Sequence, residues 1–179
     1  MPATLPIRYP LPDLPVCRRD YPIYTVPVFL KGLCTQAVYS KWLDNKADTL
    51  LKRDRKRRKP YAAGATDSLY KQKIHQAVVE GGQFDPFTGD ALRWDLISLW
   101  DTSHVQDENY KKRFALMPTV DHIDPDLLEF EICSWLTNDC KSDLNPMEFV
   151  ALCKRIAKYR GTAGYIRKWK NIKKNCRPV

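Results

Sequence analysis

The distribution of proline restricts the fold of this chain more than any other feature. Seven of its 13 prolines fall within the first 27 residues. Proline locks φ and has no N–H to donate, so this region cannot form a regular helix and is confined to extended or edge-strand structure. We therefore expect residues 1–34 to form an extended, proline-rich arm, with YPIYTVPVFL (residues 21–30) as a candidate edge strand. The aromatic residues of this segment favour an arm that packs along the domain surface over a free tail.

The composition is that of one folded domain of ordinary size. The chain has 179 residues, of which 44% are hydrophobic, and its five Trp, nine Tyr and six Phe can fill a core. No apolar run approaches the roughly 18 residues of a membrane span, and the N-terminus lacks the order of a secretory signal. The six cysteines form no C-x-x-C pair and lie at positions 17, 34, 133, 140, 153 and 176. We expect them to be reduced thiols in a cytoplasmic protein.

The charge is divided unevenly along the chain, whose formal net charge is +9. Residues 81–140 hold twelve acidic and four basic side chains, whereas the rest of the chain holds nine acidic and 26 basic ones. Basic flanks attract a polyanion, and an acidic cluster between them repels one unless cations neutralise it. Metal-dependent nucleases combine these two features, although solvated acidic loops would produce the same counts.

Two amphipathic helices are predicted within residues 35–83, a helical and basic region. The first, from about Thr35 to Arg58, carries one apolar stripe at helical spacing. Its members are Tyr39, Trp42, Leu43, Ala47, Leu50 and Leu51. The second runs from about Asp67 to Glu80, with Thr66 or Asp67 as its cap and Gly81-Gly82 at its end. His75 lies beside its apolar face, and we expect a backbone or solvent partner for it rather than a metal.

Basic side chains are concentrated at the end of the first helix and in the C-terminal tail. KRDRKRRK, residues 52–59, has seven basic side chains in eight positions, and it follows a Trp-bearing helix. Solvated helix ends and localisation signals look similar, but we favour contact with a phosphate backbone. The basic tail, residues 161–179, interleaves aromatic and basic residues, as a core-packing stripe with a solvated face also would. The candidate nucleic-acid-binding residues are Lys52, Arg53, Arg55, Lys56, Arg57, Arg58, Lys168 and Lys170.

The middle of the chain alternates turn signals with short apolar runs. Asp-Pro-Phe-Thr-Gly (residues 85–89) has the chemistry of a turn. ALRWDLISLWD, which follows it, predicts a strand and then a short helix, and residues 101–113 predict a polar loop with His104 exposed. FALMPTVDHI (residues 114–123) and LLEFEICSW (residues 127–135) have the β-branched and apolar content of two strands.

Helical signals return after the second strand. One helix begins near Thr137, and a further start signal is found at NPME, residues 145–148. There Asn is placed at the N-cap, Pro at the first helical position and Glu at the third. We expect this helix to bury a face made of Phe149, Leu152, Cys153, Ile156 and Tyr159.

The order strand, turn, strand, helix carries two motifs. TVDHIDP (residues 119–125) puts an Asp-His pair at the end of the first strand, and FEICSWLTNDCKSDLNPMEF (residues 130–149) puts Asn-x-x-Lys on the helix. This arrangement resembles the HNH, or ββα-metal, endonuclease motif. The resemblance implies an α+β fold whose ββα-metal core occupies residues 84–160, with additional, partly basic helices at both ends.

The resemblance also implies a role for each motif residue. Asp121 and Asn138 would be ligands of one Mg²⁺-class ion, either Mg²⁺ or a similar divalent cation such as Mn²⁺. His122 would be the general base, and Lys141 would contact phosphate or simply flank the helix. Carboxylate and amide oxygens are hard ligands, and imidazole has an unperturbed pKa of about 6.5, which suits a base. Many family members carry an Asn or His that orients the catalytic His, but ICSW stands there in this chain, so the orienting group is unassigned or is a backbone carbonyl.

We therefore expect a metal-dependent endonuclease that hydrolyses phosphodiester bonds, with double-stranded DNA as its partner. A non-catalytic DNA- or RNA-binding module on the same fold and a zinc-stabilised protein-interaction domain are the alternatives. Cutting both strands with one site per chain would require a homodimer. Adjacent strand residues point to opposite faces, so Asp121 and His122 share a site only if the strand bends there.

Overall fold

The computed structural model describes residues 24–101, 103 and 109–160, which form a mixed α+β fold. Its helices and strands are α1 (Gln36–Lys56), α2 (Asp67–Gly81), α3 (Tyr110–Arg113), β1 (Pro118–His122), β2 (Phe130–Ser134), α4 (Trp135–Lys141) and α5 (Pro146–Arg160). Short 3₁₀ helices occupy Val28–Leu30, Pro60–Ala62 and Trp94–Ser98. The first 23 residues of the predicted arm, His104 and the tail with Lys168 and Lys170 lie outside the described residues.

Helices α1 and α2 form the centre of the core, as their apolar stripes predict. Thr35 caps α1 by accepting a hydrogen bond from the Val38 N–H, and Thr66 caps α2 in the same way. All six members of the predicted α1 stripe are buried, together with Tyr70, Ile74 and other residues of α2. Gly82 is the C-cap residue of α2. Glycine fits this position because a Cβ there would lie 2.6 Å from the carbonyl oxygen of Val78.

The predicted edge strand near the N-terminus is wrong for the residues that the structure describes. Residues 24–27 pair with no strand, and Val28–Leu30 is a 3₁₀ helix. The side chain of Gln36 replaces a strand partner, because it accepts from the Val26 N–H at 2.9 Å and donates to the Tyr24 carbonyl at 2.8 Å. Leu30 is fully buried, so this segment packs on the domain.

Strands β1 and β2 form a two-stranded antiparallel sheet, with Asp121 opposite Glu131 and His122 opposite Phe130. Its apolar face joins the core through Val120, Phe130 and Ile132. Because side chains alternate along a strand, Asp121 and Glu131 lie on the other face.

The turn at residues 85–89 is confirmed, and it supports the start of α4. The Asp85 carboxylate accepts hydrogen bonds from the Phe87 and Thr88 N–H groups, and Gly89 has a φ of 74°. The second carboxylate oxygen of Asp85 accepts a hydrogen bond from the N–H of Ser134, the N-cap residue of α4, at 2.7 Å. Burial would raise the pKa of Asp85, but these hydrogen bonds hold it below its usual value.

The strand predicted after this turn is absent from the structure. The only pairing there is an isolated bridge between Phe84 and Ala91, and the short helix that follows is Trp94–Ser98. The indole N–H of Trp94 donates to the Gly82 carbonyl at 2.6 Å, which draws this segment onto the core. Packing of one buried Trp therefore replaces strand pairing.

Helix α5 begins as predicted but does not bury its apolar face. Asn145 and Glu148 form a reciprocal capping box, with both hydrogen bonds at 3.0 Å. The expected buried face is wrong, because no residue of α5 is buried and Tyr159 is 72% exposed. The reason is that, among the described residues, α5 has little to pack on beyond Phe87, whose ring lies 5.5 Å from that of Phe149.

The described helices also bear on membrane insertion. Across residues 24–101, 103 and 109–160, none of them has both the length and the apolar character that crossing a bilayer requires. The longest, α1, ends in the basic octet. Its apolar residues form one stripe against α2 rather than a continuous apolar surface.

Candidate active site

A cleft of about 250 Å³ opens beside strand β1, between the C-terminal ends of α1 and α4. The polar and charged side chains in its walls are Arg53, Arg57, Asp121, His122, Asn138, Asp139, Lys141, Ser142 and Asp143. The three residues to which the sequence assigns metal binding and base catalysis therefore lie in one cleft. Arg53 of α1, the C-cap residue Arg57 and the Lys of Asn-x-x-Lys line it with them.

Asp121 is held by a buried ion pair. Its Oδ2 lies 2.7 Å from the Nζ of Lys141, and the two side chains are 10% and 3% exposed. Its Oδ1 accepts a hydrogen bond from the N–H of His122 at 2.9 Å. Helix α4 thus delivers a cation to the carboxylate, because Lys141 lies in its last turn and points back to the sheet.

His122 is buried and has partners at both ring nitrogens. The guanidinium of Arg53 lies 3.0 Å from Nδ1, and the Asp54 carboxylate lies 3.0 Å from Nε2. The hydroxyl of Tyr61 lies 3.2 Å from Nε2, and the Phe130 ring packs on the imidazole. Arg53 and Asp54 are neighbours at the end of α1, so one turn of that helix contacts both nitrogens.

These partners affect the ionisation of His122. Burial lowers its pKa below the usual value of 6.5, Asp54 opposes this effect, and Arg53 reinforces it. The net direction is downward, so the neutral imidazole is favoured at physiological pH. A neutral imidazole is the form that can accept a proton from water.

Asp121 and His122 reach the cleft without the predicted bend in the strand. Pairing of β1 with β2 continues through His122, so the two side chains leave opposite faces of β1. Both still line the cleft, so the predicted bend is not needed to bring them together.

Glu131 faces Asp121 across the hairpin. Its Oε1 is buried without a hydrogen-bond partner in the described residues, as is the Nε of Arg53. Burial raises the pKa of Glu131 to about 7, and the charge of Asp121 adds to this effect. This carboxyl group is thus partly protonated at neutral pH.

The predicted nucleic-acid-binding residues fall into two groups. Arg53, Arg57 and Lys141 line the cleft, and Arg57 pairs with Asp143 at 3.3 Å on the exposed rim. Lys52, Lys56 and Arg58 are exposed outside it. Arg55 has a structural partner, since it donates to the Ala65 carbonyl at 2.9 Å. Only part of the octet therefore faces the candidate site.

His75 and the cysteines behave as ordinary structural residues. The expected backbone or solvent partner of His75 is wrong, because its Nδ1 lies 2.7 Å from the hydroxyl of the buried Tyr39. Within the described ranges, no three or more His, Cys, Asp and Glu side chains are grouped so as to hold a metal.

Asp54 is the site residue that the sequence analysis missed. It is the one acidic residue of the basic octet, residues 52–59, yet it is 1% exposed. Its position contains the signal, because it follows Leu50 and Leu51 by four and three residues and so extends the apolar stripe of α1. An acidic residue at the helical spacing of a buried apolar stripe is expected to be buried, and a buried carboxylate needs a buried partner.

Comparisons with protein-family models, curated proteins and solved structures find no match to this chain. Its function is therefore argued from its own residues. The relevant facts are the Asp-His and Asn-x-x-Lys motifs, the cleft that they share and the contacts of α1 with His122.

Proposed function

We propose that this protein is a metal-dependent endonuclease that hydrolyses phosphodiester bonds in DNA, with an HNH-like ββα-metal core in residues 84–160. The observation that carries the proposal is the shared cleft of Asp121, His122 and Asn138. These residues come from the end of β1 and from α4, in the order strand, strand, helix. The pairing of β1 with β2 and the direct passage of β2 into α4 support that core.

His122 serves as the general base in this proposal. Its Nδ1 accepts from Arg53 and therefore carries a lone pair. Arg53 is 37% exposed in its side chain and lines the cleft, so a bound phosphate can attract its guanidinium away from the ring. Water then takes the place beside Nδ1 and gives up a proton to it.

Asp121 and Asn138 are the residues that would hold a divalent cation. They offer a carboxylate and an amide oxygen, which suit Mg²⁺ or Mn²⁺ better than zinc. Asp121 already binds the ammonium of Lys141 at a buried position, so the site favours positive charge. When bound, the ion would neutralise charge on the phosphate and on the leaving oxygen. Lys141 would then be free to contact phosphate.

The basic end of α1 would supply the contacts to the DNA backbone. Arg57 faces the cleft, and Lys56 and Arg58 are exposed beside it. Such contacts make binding salt-dependent but carry no sequence information. A cytoplasmic location, double-stranded DNA as the partner and a homodimer for double-strand cutting belong to the same proposal.

A plasmid-nicking assay tests the proposal. Supercoiled DNA is incubated with the protein in Mg²⁺, in Mn²⁺ and in EDTA, with His122→Ala and with Lys111→Ala as a control at an exposed ion pair. We expect cutting with the divalent ions, none in EDTA, and a loss of about 10²- to 10⁴-fold in His122→Ala. Equal cutting by His122→Ala and the wild type would reject His122 as the base.

A second candidate function, a non-catalytic nucleic-acid-binding module, is favoured by one observation. The Nδ1 of His122 and the Oδ2 of Asp121 are each bound by a cation of the protein itself, Arg53 and Lys141. If these contacts persist when DNA binds, neither group can act. DNA binding without cutting under any divalent ion would support this module.

A further inference from the structure

We propose that Asp54 is the positioning residue of His122, and that it holds the ring in the tautomer whose free lone pair is on Nδ1. The role of Asp54 in cutting rests on the proposed nuclease function. The tautomer does not rest on it, because it is a property of the folded protein. Asp54 thus takes the orienting role for which the second strand offers no side chain.

The geometry places Asp54 directly on the ring. Its Oδ2 lies 3.0 Å from Nε2 of His122, and both side chains are less than 10% exposed. A carboxylate has only acceptors, so Nε2 must carry a proton to form this hydrogen bond. Imidazole then presents Nδ1 without a proton.

Arg53 supports the same tautomer independently. Its guanidinium lies 3.0 Å from Nδ1, and a guanidinium has only donors. Nδ1 must therefore be an acceptor. The two neighbouring residues of α1 thus require the same proton position from opposite sides of the ring.

The carboxylate is itself held in place. The Tyr70 hydroxyl donates to Asp54 Oδ2 at 2.8 Å, and the Nε of Arg53 lies 3.6 Å from Oδ1. Tyr70 belongs to α2 and is fully buried in the core. The chain of contacts Tyr70–Asp54–His122 therefore fixes the imidazole relative to the two central helices, much as an outer carboxylate orients a histidine in other sites.

The proton inventory of the reaction is then complete. Nδ1 takes one proton from water, and the resulting hydroxide oxygen forms a bond to phosphorus. The bond from phosphorus to the leaving sugar oxygen breaks, and that oxygen takes a proton from solvent. The imidazolium, stabilised by Asp54 at Nε2, returns its proton to solvent. No oxidant or further reactant is required.

The experiment combines ¹⁵N NMR of the histidine ring with kinetics. In the wild type, long-range ¹H–¹⁵N correlations should show His122 as the Nε2–H tautomer. Because Arg53 favours the same tautomer, the effect of Asp54 on the tautomer is measured in an Arg53→Ala background. Adding Asp54→Ala there should introduce a measurable Nδ1–H population. With Arg53 intact, Asp54→Ala should lower kcat by about 10- to 1,000-fold, less than loss of the base itself, with KM nearly unchanged. Asp54→Asn, which preserves the side-chain shape, is the second variant if Asp54→Ala does not fold.

Thr66→Ala is the matched control. It removes the N-cap of α2, so it destabilises the helix that carries Tyr70 without removing a partner of Asp54 or of His122. We expect the tautomer to be retained and kcat to stay within about threefold of the wild type. A folded Asp54 variant that keeps the Nε2–H tautomer in the Arg53→Ala background and also keeps its kcat would overturn the proposal.

The outcomes separate this inference from the nuclease proposal. If the wild type cuts no DNA, the NMR comparison still decides whether Asp54 sets the tautomer. If the wild type cuts DNA but the tautomer and kcat do not depend on Asp54, the nuclease proposal stands and the positioning role is wrong.

Discussion

Two lysines from different helices donate to the same face of β1, and their surroundings differ. Lys141 of α4 meets the Asp121 carboxylate at 2.7 Å, whereas Lys46 of α1 meets only the Thr119 hydroxyl at 2.9 Å. The side chain of Lys46 is half-buried by its solvent exposure, and loss of water around the ammonium lowers its pKa to about 8. A charge removed from water needs an opposite charge or a change of protonation state, and the two lysines use one solution each.

The same difference extends to the candidate site. Helix α4 supplies Lys141 to a full ion pair with Asp121, whereas the C-terminal end of α1 holds His122 between Asp54 and Arg53, where the neutral imidazole is favoured. A group that must take up a proton benefits from the second arrangement, because its neutral form is the stable one before reaction. The first arrangement is suited to holding charge.

Loss of Lys141 should have the largest effect on stability of the substitutions that test this difference. Lys141→Ala leaves the Asp121 carboxylate buried without its cation, and we expect the free energy of unfolding to fall by about 3–5 kcal/mol. Urea denaturation measures this loss. The control is Lys111→Ala, which removes the exposed ion pair between Lys111 of α3 and Asp139 of α4, the helix that also carries Lys141. It should cost less than about 1 kcal/mol. Equal losses would show that burial adds nothing to the Asp121–Lys141 pair.

Divalent cations should act differently on this variant and on the wild type. Lys141→Ala frees Oδ2 of Asp121, so Mg²⁺ at about 100 times its dissociation constant should restore roughly 2.7 kcal/mol of stability. The wild type should gain less, because its own ammonium competes for the same oxygen. An equal response of the two proteins would count against Asp121 as a metal ligand.

The next largest effect is expected on the α1 side. Tyr70→Phe removes the hydroxyl that donates to the buried Asp54 at 2.8 Å, and it should cost about 1–3 kcal/mol, which thermal unfolding measures. Tyr61→Phe is the control, since its half-buried hydroxyl has only contacts of 3.2 and 3.4 Å. If Tyr70→Phe lowers the free energy of unfolding as much as Lys141→Ala does, the hydrogen bond to Asp54 is worth as much as the ion pair of Asp121. The contrast between these two carboxylates would then be wrong.

Local patterns were sufficient to predict α1, α2, α4, α5 and the hairpin, but the polar loop expected at residues 101–113 is wrong at its end, where Tyr110–Arg113 form α3. The stripe of α1, the caps at Thr66 and Asn145 and the paired strands depend on residues a few positions apart, and the structure agrees. The shared cleft of Asp121, His122 and Asn138 could also be expected, because the hairpin returns the chain to the start of α4. These features need no knowledge of distant contacts.

The predictions were wrong or incomplete where burial or pairing depends on a residue that is distant in the sequence. Helix α5 has a regular apolar stripe, yet burial of Ile156 requires another element against it, and Ile156 is 51% exposed. Asp54 and His122 are 68 positions apart, and no local pattern pairs them. The phase of Asp54 in the stripe of α1 shows that it is buried, but only the fold shows that its partner is His122.

The smallest expected effect concerns Lys46 and has a distinctive dependence on pH. Its pKa is about 8 in the folded protein and near 10.5 in the unfolded chain. Between these values the unfolded chain binds the extra proton, so this residue makes the protein more stable as pH rises from 8 to 10.5. At lower pH the cost of burying the charge remains in full. Lys46→Met should therefore stabilise the protein at pH 7 by about 1 kcal/mol, after the loss of the bond to Thr119 is subtracted.

Urea denaturation of the wild type and Lys46→Met across pH 7–10.5 measures this difference, and other titrating groups cancel in the subtraction. The advantage of the variant should shrink steadily above pH 8, because the wild-type lysine loses its charge in the folded state. Lys41→Met is the control, since Lys41 lies on the same helix but is exposed. If the difference in the free energy of unfolding between wild type and Lys46→Met is constant with pH, Lys46 stays charged in the folded protein. The site beside Thr119 would then tolerate a cation without a carboxylate partner as readily as Asp121 holds Lys141.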